Sequence, residues 1–134
     1  MFNKLTNSLV IAAFSLLIFS CEKEGEGELS ISLKSQKGYL STDTVIATGS
    51  AIRLGIIAET IKDKDPIIRF NISESLNNGA NTTLYSEDVE TTRYEHDFDF
   101  TLKDSISGNR HRYTFTITNK DGINAQEYLS ITVQ

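Results

Sequence analysis

The sequence predicts an all-β domain, an antiparallel sandwich, set behind a short apolar export segment. Three observations carry this. Period-two alternation of apolar and polar residues recurs from Leu29 to the end, short Gly- and Asn-rich turns separate the alternating runs, and the most apolar run stands at the very start. The length, 134 residues, is that of one domain. Hydrophobic residues make up 39 %, with seven Phe and five Tyr, which is enough for a packed core. A net charge of −5 argues against a nucleic-acid partner, because phosphate contacts need a basic face.

The first element is an address. Lys4 precedes an apolar run from Leu9 to Phe19 interrupted only by Ser15. That is too short to span a bilayer, which takes roughly 20 apolar residues, and it matches the core of a secretory signal. The chain's only cysteine follows at once, in Leu17-Ile18-Phe19-Ser20-Cys21. This stretch resembles the lipobox of bacterial lipoproteins, although Leu is commoner where Ile18 stands and a small residue where Phe19 stands; looser boxes of this kind occur among Bacteroidota. The resemblance implies a signal peptide over 1–20, removed on export, and acylation of the Cys21 thiol. Two or more acyl chains would hold the product at a membrane, since each buried methylene contributes about 0.8 kcal/mol.

Residues 22–28, Glu-Lys-Glu-Gly-Glu-Gly-Glu, have nothing to bury, so 21–28 reads as the lipidated cysteine with an acidic flexible tether reaching roughly 15 Å. Acids directly after such a cysteine resemble the export signal that carries some Bacteroidota lipoproteins to the outer-membrane surface. Loss of Lys4 with no acid takes the charge from −5 to −6, so anionic lipid offers no attraction and the acyl chains must do the holding.

The strands come in order along the rest of the chain. Leu29, Ile31 and Leu33 alternate with Ser30, Ser32 and Lys34; Ile52, Leu54, Ile56 and Ala58 share a face opposite Gly55 and Ile57. After Pro66, a good strand starter, Ile68, Phe70 and Ile72 oppose Arg69, Asn71 and Ser73. Tyr94, His96, Phe98, Phe100 and Leu102 oppose Glu95, Asp97, Asp99 and Thr101. Tyr113, Phe115 and Ile117 alternate with Arg112, Thr114, Thr116 and Thr118, and Leu129, Ile131 and Val133 with Tyr128, Ser130 and Thr132. Thr44–Ala47 and Thr82–Ser86 are shorter candidates. About seven strands, or eight with both short runs, favour an immunoglobulin-like sandwich over 29–134 rather than a closed barrel.

The C-terminal stretch from Tyr113-Thr114-Phe115 through Asp121-Gly122 to Val133 resembles the last hairpin of bacterial immunoglobulin-like and PKD-like modules. That likeness implies a corner role for Tyr113, its hydroxyl bonding nearby backbone. From lipobox to hairpin, the chain resembles the small surface lipoproteins of Bacteroidota.

Candidate chemistry is sparse. Cys21 is expected to be blocked by lipid. His96 lies between Tyr94 and Phe98 in an alternating strand and reads as a partly buried, hydrogen-bonded residue; His111, between Arg110 and Arg112, reads as a poor base beside two cations. No Gly-x-Ser-x-Gly, phosphate-cradling loop or zinc-spaced pair is present, so neither catalysis nor a cofactor is expected. Asp97 and Asp99, on one strand face with Glu95, are weak calcium candidates, as are Asp63 and Asp65 beside Lys64; calcium wants six to eight oxygens and each cluster would need help from another loop. Tyr39, Tyr85 and Tyr128 are the candidate ligand contacts, the first two in loop-like contexts and the third on an outward face. Asp43-Thr44-Val45 and Asp104-Ser105-Ile106 resemble the acceptor pattern of Bacteroidota O-glycosylation. The expected function is a membrane-anchored, non-catalytic binding or adhesion module for protein or glycan. The alternative is a structural or accessory subunit of an outer-membrane complex.

Overall fold

The computed structural model describes residues 28–134, and these hold eight strands and no helix. The signal peptide over 1–20 and Cys21 with its tether to residue 27 lie outside the described residues. The strands are β1 (Leu29–Leu33), β2 (Thr44–Ile46), β3 (Ala51–Thr60), β4 (Ile67–Leu76), β5 (Thr82–Thr91), β6 (Arg93–Thr101), β7 (Arg110–Asn119) and β8 (Asn124–Val133). They form a three-stranded sheet in the order β1-β3-β6 and a five-stranded sheet in the order β2-β8-β7-β4-β5. This is an immunoglobulin-like β-sandwich, with the larger sheet extended by an extra strand at its edge.

Alternation explains the layering. Leu54, Ile56 and Ala58 from β3 are fully buried against Phe70 and Ile72 from β4, Ile117 from β7, and Leu129 and Ile131 from β8. The residues between them leave the outer face, because successive side chains on a strand point to opposite sides of the sheet. Phe70 and Phe115 stack at 6.4 Å between centroids, and Phe98 and Phe100 reach across from β6 to Tyr113.

Three features depart from the alternation read along the chain. The sandwich is not wholly antiparallel, since β2 runs parallel to β8 with Thr44 opposite Ile131. Within β4 a bulge between Ile67 and Arg69 adds one residue, so Ile67 is buried in place of Ile68, which is 37 % exposed. A bulge turns the chain by one position and exchanges the two faces beyond it. Finally, β5 continues to Thr91, well past Ser86, because β4 supplies a full-length partner.

The turns set the two ends of the sandwich. Asn77 and Asn78 both have positive φ, and the Gly79 amide donates to the Leu76 carbonyl at 2.9 Å, which closes a tight turn between β4 and β5. Between β7 and β8, Gly122 takes φ 82° and the buried Asn119 accepts from the Ile123 amide at 2.9 Å. Leu29 pairs with Thr60, so the chain enters at the end that carries the β3–β4 and β7–β8 turns. The β4–β5 turn and the 102–109 loop stand at the opposite end.

Candidate functional site

The two outer faces differ in chemistry. On the three-stranded sheet, β3 and β6 set Arg53 opposite Asp99 and Gly55 opposite Asp97. Arg53 donates twice to Asp99, at 2.7 and 3.2 Å, and Lys34 donates to Asp97 at 2.8 Å. Arg93 pairs with Glu59. Tyr39 lies over Gly55, with its hydroxyl 2.9 Å from Asp97 and the Lys34 and Arg53 cations 5.4 and 5.7 Å from its ring centre. The hydrogen bond from Lys34 holds Asp97 below the usual carboxylate range and raises Lys34 in return. Asp97 and Asp99 are therefore each taken by a cation of their own sheet. Among the described residues, no cluster of three or more His, Cys, Asp or Glu is arranged to hold a metal.

Tyr85 does not stand in a loop. It sits on β5, and its side chain turns toward the lateral opening between the sheets, 4.8 Å from His96 and 6.1 Å from Phe70. Glu87 closes this opening by accepting from the hydroxyls of Tyr94 at 2.6 Å and Tyr85 at 2.9 Å, which hold its carboxyl below the usual range. His96 is partly buried, with Nδ1 3.2 Å from the Tyr94 hydroxyl, and burial lowers its pKa.

His111 occupies the opposite environment from the one its sequence neighbours suggest. Arg110 and Arg112 leave the other face of β7, while His111 turns inward at 8 % exposure. Its Nδ1 lies 2.7 Å from Glu74 and its Nε2 2.7 Å from Asp104. Burial alone would lower its pKa, but the two carboxylate hydrogen bonds outweigh that and hold it above the ordinary value. The doubly protonated ring can donate at both ends. Asp104 is pulled down to about 2, first by the Ile106 amide, then by Asn109 and His111. With both nitrogens engaged, His111 has no lone pair to offer a substrate; it ties the 102–109 loop to β4. Tyr113 beside it packs inward on Phe98 and Phe100, and among the described residues its hydroxyl bonds no backbone carbonyl. The corner role that the likeness implied is therefore not seen.

Tyr128 stands apart from all these. It projects from β8 on the outer face of the five-stranded sheet, 55 % exposed, and the guanidinium of Arg112 lies 3.8 Å from its ring centre. The β7–β8 register explains the pair, since Arg112 opposes Ser130 and Thr114 opposes Tyr128, which makes the two diagonal neighbours on one face. They border a groove of about 340 Å³ whose lining also includes Ser73, Asn81, Thr114 and Gln126. The three candidate tyrosines thus fall on three separate surfaces, and only Tyr128 borders this groove. Arg112 was the residue hidden from a linear reading; the Asp121-Gly122 turn, which sets the hairpin register, was the signal that could have found it.

No family model matches the chain, and no curated protein matches it. Solved structures do. Spo0M, a sporulation control protein from Bacillus subtilis, aligns over 81 % of this chain and 50 % of its own at 12 % identity and TM-score 0.52. A DUF4466 family protein from Parabacteroides merdae aligns over 75 % of this chain and 42 % of its own at 11 % identity and TM-score 0.53. A β-glucosidase from Listeria innocua aligns over 80 % of this chain and 16 % of its own at 12 % identity and TM-score 0.50. This chain spans half or less of the length of each. At these identities the likeness concerns the fold alone: a β-sandwich that recurs as part of larger proteins.

Proposed function

We propose that the chain is a lipid-anchored, non-catalytic binding module of the bacterial cell envelope, displayed at the outer membrane. The observation that carries the binding reading is the groove beside Tyr128 and Arg112, an exposed aromatic ring and an arginine held together on a polar sheet face. Its position supports display. The groove lies toward the β4–β5 turn, whereas the chain enters the sandwich at Leu29 on the opposite end. A protein held through Cys21 would carry the groove away from the lipid.

Two measurements test the two halves. For the anchor, Cys21→Ala is expected to abolish incorporation of a clickable fatty acid and to release the protein from the membrane pellet; continued labelling removes the lipid anchor. For the module, the full-length protein in detergent is immobilised and challenged with envelope polysaccharide and protein fractions. Capture that disappears in Tyr128→Ala supports the groove, and capture indifferent to that change places recognition elsewhere.

One observation favours a second reading, an accessory subunit of an outer-membrane complex. β5 is a ten-residue strand at the edge of its sheet, with one side free to accept a further strand. Cross-linking of intact cells through residues placed along β5 is expected to trap a larger partner under this reading and only monomer under the first.

A further inference from the structure

The groove's own chemistry narrows its ligand, provided that the groove is the binding site proposed for the module. The chain has five arginines, and four of them reach a carboxylate: Arg53 with Asp99, Arg69 with Asp88, Arg93 with Glu59 and Arg110 with Asp43. Arg112 is the exception. Among the described residues it forms no ion pair, and its Nε is buried with no hydrogen-bond partner. The Nε is shut away from solvent, so what an arriving anion can reach is the terminal Nη pair, which forms no hydrogen bond among the described residues; pairing it offsets part of the cost of the partly buried cation.

The stacking on Tyr128 decides which part of Arg112 is available. A cation over an aromatic ring uses the flat face of the guanidinium, whereas its five N–H bonds radiate in the plane. The ring therefore fixes the orientation of the fork without consuming its donors. A fork fixed in this way matches the paired oxygens of a carboxylate or sulfate, and an ammonium could not replace it.

The lining completes the description. Among the described residues no acid borders the groove, so it is locally cationic in a chain of net charge −5. Ser73, Thr114, Asn81 and Gln126 each carry both a donor and an acceptor, the same dual capacity as a sugar hydroxyl. The face of the exposed Tyr128 ring turned away from Arg112 offers an apolar platform to a pyranose. An acidic peptide suits the site less well. The groove lies on the face of the sheet, where the backbone of β4 and β7 is already paired on both sides, and its lining holds no apolar pocket for a side-chain anchor.

We propose that this groove binds an acidic saccharide, whose carboxylate or sulfate takes the in-plane N–H fork of Arg112 while a sugar ring lies on Tyr128. The fork supplies the charge selectivity, and the neutral lining reads the hydroxyls.

The test is calorimetric titration of the full-length protein in detergent with four polymers. Polygalacturonate carries carboxylate, dextran sulfate carries sulfate, dextran is the uncharged control and polyglutamate is the acidic peptide. Either acidic polysaccharide is expected to bind, with dextran and polyglutamate weaker by about tenfold or more. Loss of one charge-assisted, bidentate contact in Arg112→Gln is expected to weaken the acidic polysaccharide by about ten- to hundredfold at unchanged melting temperature. Arg112→Lys, which keeps the charge without the fork, is expected to recover only part of this. Should the Gln variant melt early, the Lys variant decides, and full affinity in it overturns the proposal. Equal binding of dextran and dextran sulfate, lost in Tyr128→Ala but indifferent to Arg112→Gln, keeps the binding reading and sinks the acidic saccharide. Preference for polyglutamate does the same. Absence of all four, beside sustained capture of envelope material, also overturns the saccharide without touching the module.

Discussion

At the residue scale the two histidines are the sharpest contrast in the molecule. His96 is desolvated between Phe70 and Tyr85, which disfavours its charged form, whereas His111 is held between two carboxylates that favour it. Titration followed on the two imidazole resonances by NMR is expected to show His111 above the ordinary value of 6.5 and His96 below it. Coincident curves would remove the ion-paired description of His111. These shifts also set how stability responds to pH. His111, raised in the folded state, stabilises fully below 6.5 and loses that contribution as pH rises through its folded value. Asp104, depressed to about 2, stabilises above its ordinary 3.8 and loses that as pH falls toward 2. His96 opposes His111, since its neutral folded form disfavours the protonation that the unfolded chain accepts below 6.5. Replacing His111 by Gln should therefore remove the fall in stability above 6.5 and leave the His96 contribution in place. None of this could be read along the chain. Arg110 and Arg112 are neighbours of His111 in sequence but leave the opposite face, while Glu74 and Asp104 arrive from β4 and from a loop. The inward place of His96, by contrast, was legible because the alternation of its own strand sets it.

At the element scale, alternation located the long strands correctly wherever the pleat ran uninterrupted, as in β3, β6, β7 and β8. It failed at β4, where the bulge moves burial from Ile68 to Ile67; Thr44–Ala47 was found as the short strand β2, but not its parallel partner at the other end of the chain. Local pattern carries no information about a one-residue insertion in the ladder or about a distant parallel pairing. Gly55 shows what else a strand can hide. It sits mid-strand in β3 with no special backbone angle, and a Cβ there would come within 2.7 Å of the Tyr39 ring, 2.8 Å of the Lys34 side chain and 2.9 Å of Asp97. Gly55→Ala is expected to lift Tyr39 off the sheet and break its bond to Asp97, at about 1 kcal/mol or somewhat more. Thermal melts of Gly55→Ala and of Gly55→Ala with Tyr39→Ala check this. The second change should be nearly silent once the first is present, and full additivity would show that the two positions do not touch.

At the scale of the whole molecule, the sandwich segregates its chemistry: a self-paired charge lattice on one face, a second face on which Arg69 and Arg110 reach carboxylates while Arg112 reaches none, and a single core between. That core makes the two sheets one cooperative unit, because Phe70 and Tyr113 from the larger sheet pack on Tyr94, Phe98 and Phe100 from the smaller, with Phe115 stacked behind Phe70. Phe115 is 1 % exposed and stacked on Phe70. Removing its ring leaves a cavity that neither sheet can close without disturbing the other, so Phe115→Ala is expected to cost about 3–5 kcal/mol. For a domain of this size each kcal/mol lowers the melting temperature by about 4–8 °C. Near-ultraviolet dichroism, which reports the packed tyrosines, and far-ultraviolet dichroism, which reports the strands, should track one shared transition in the wild type and in this variant. Separate transitions would mean that the smaller sheet can leave while the larger persists. The groove residues Arg112 and Tyr128 lie outside this core, so their substitution should change recognition without moving the melt, and that separation is what allows binding to be tested apart from folding.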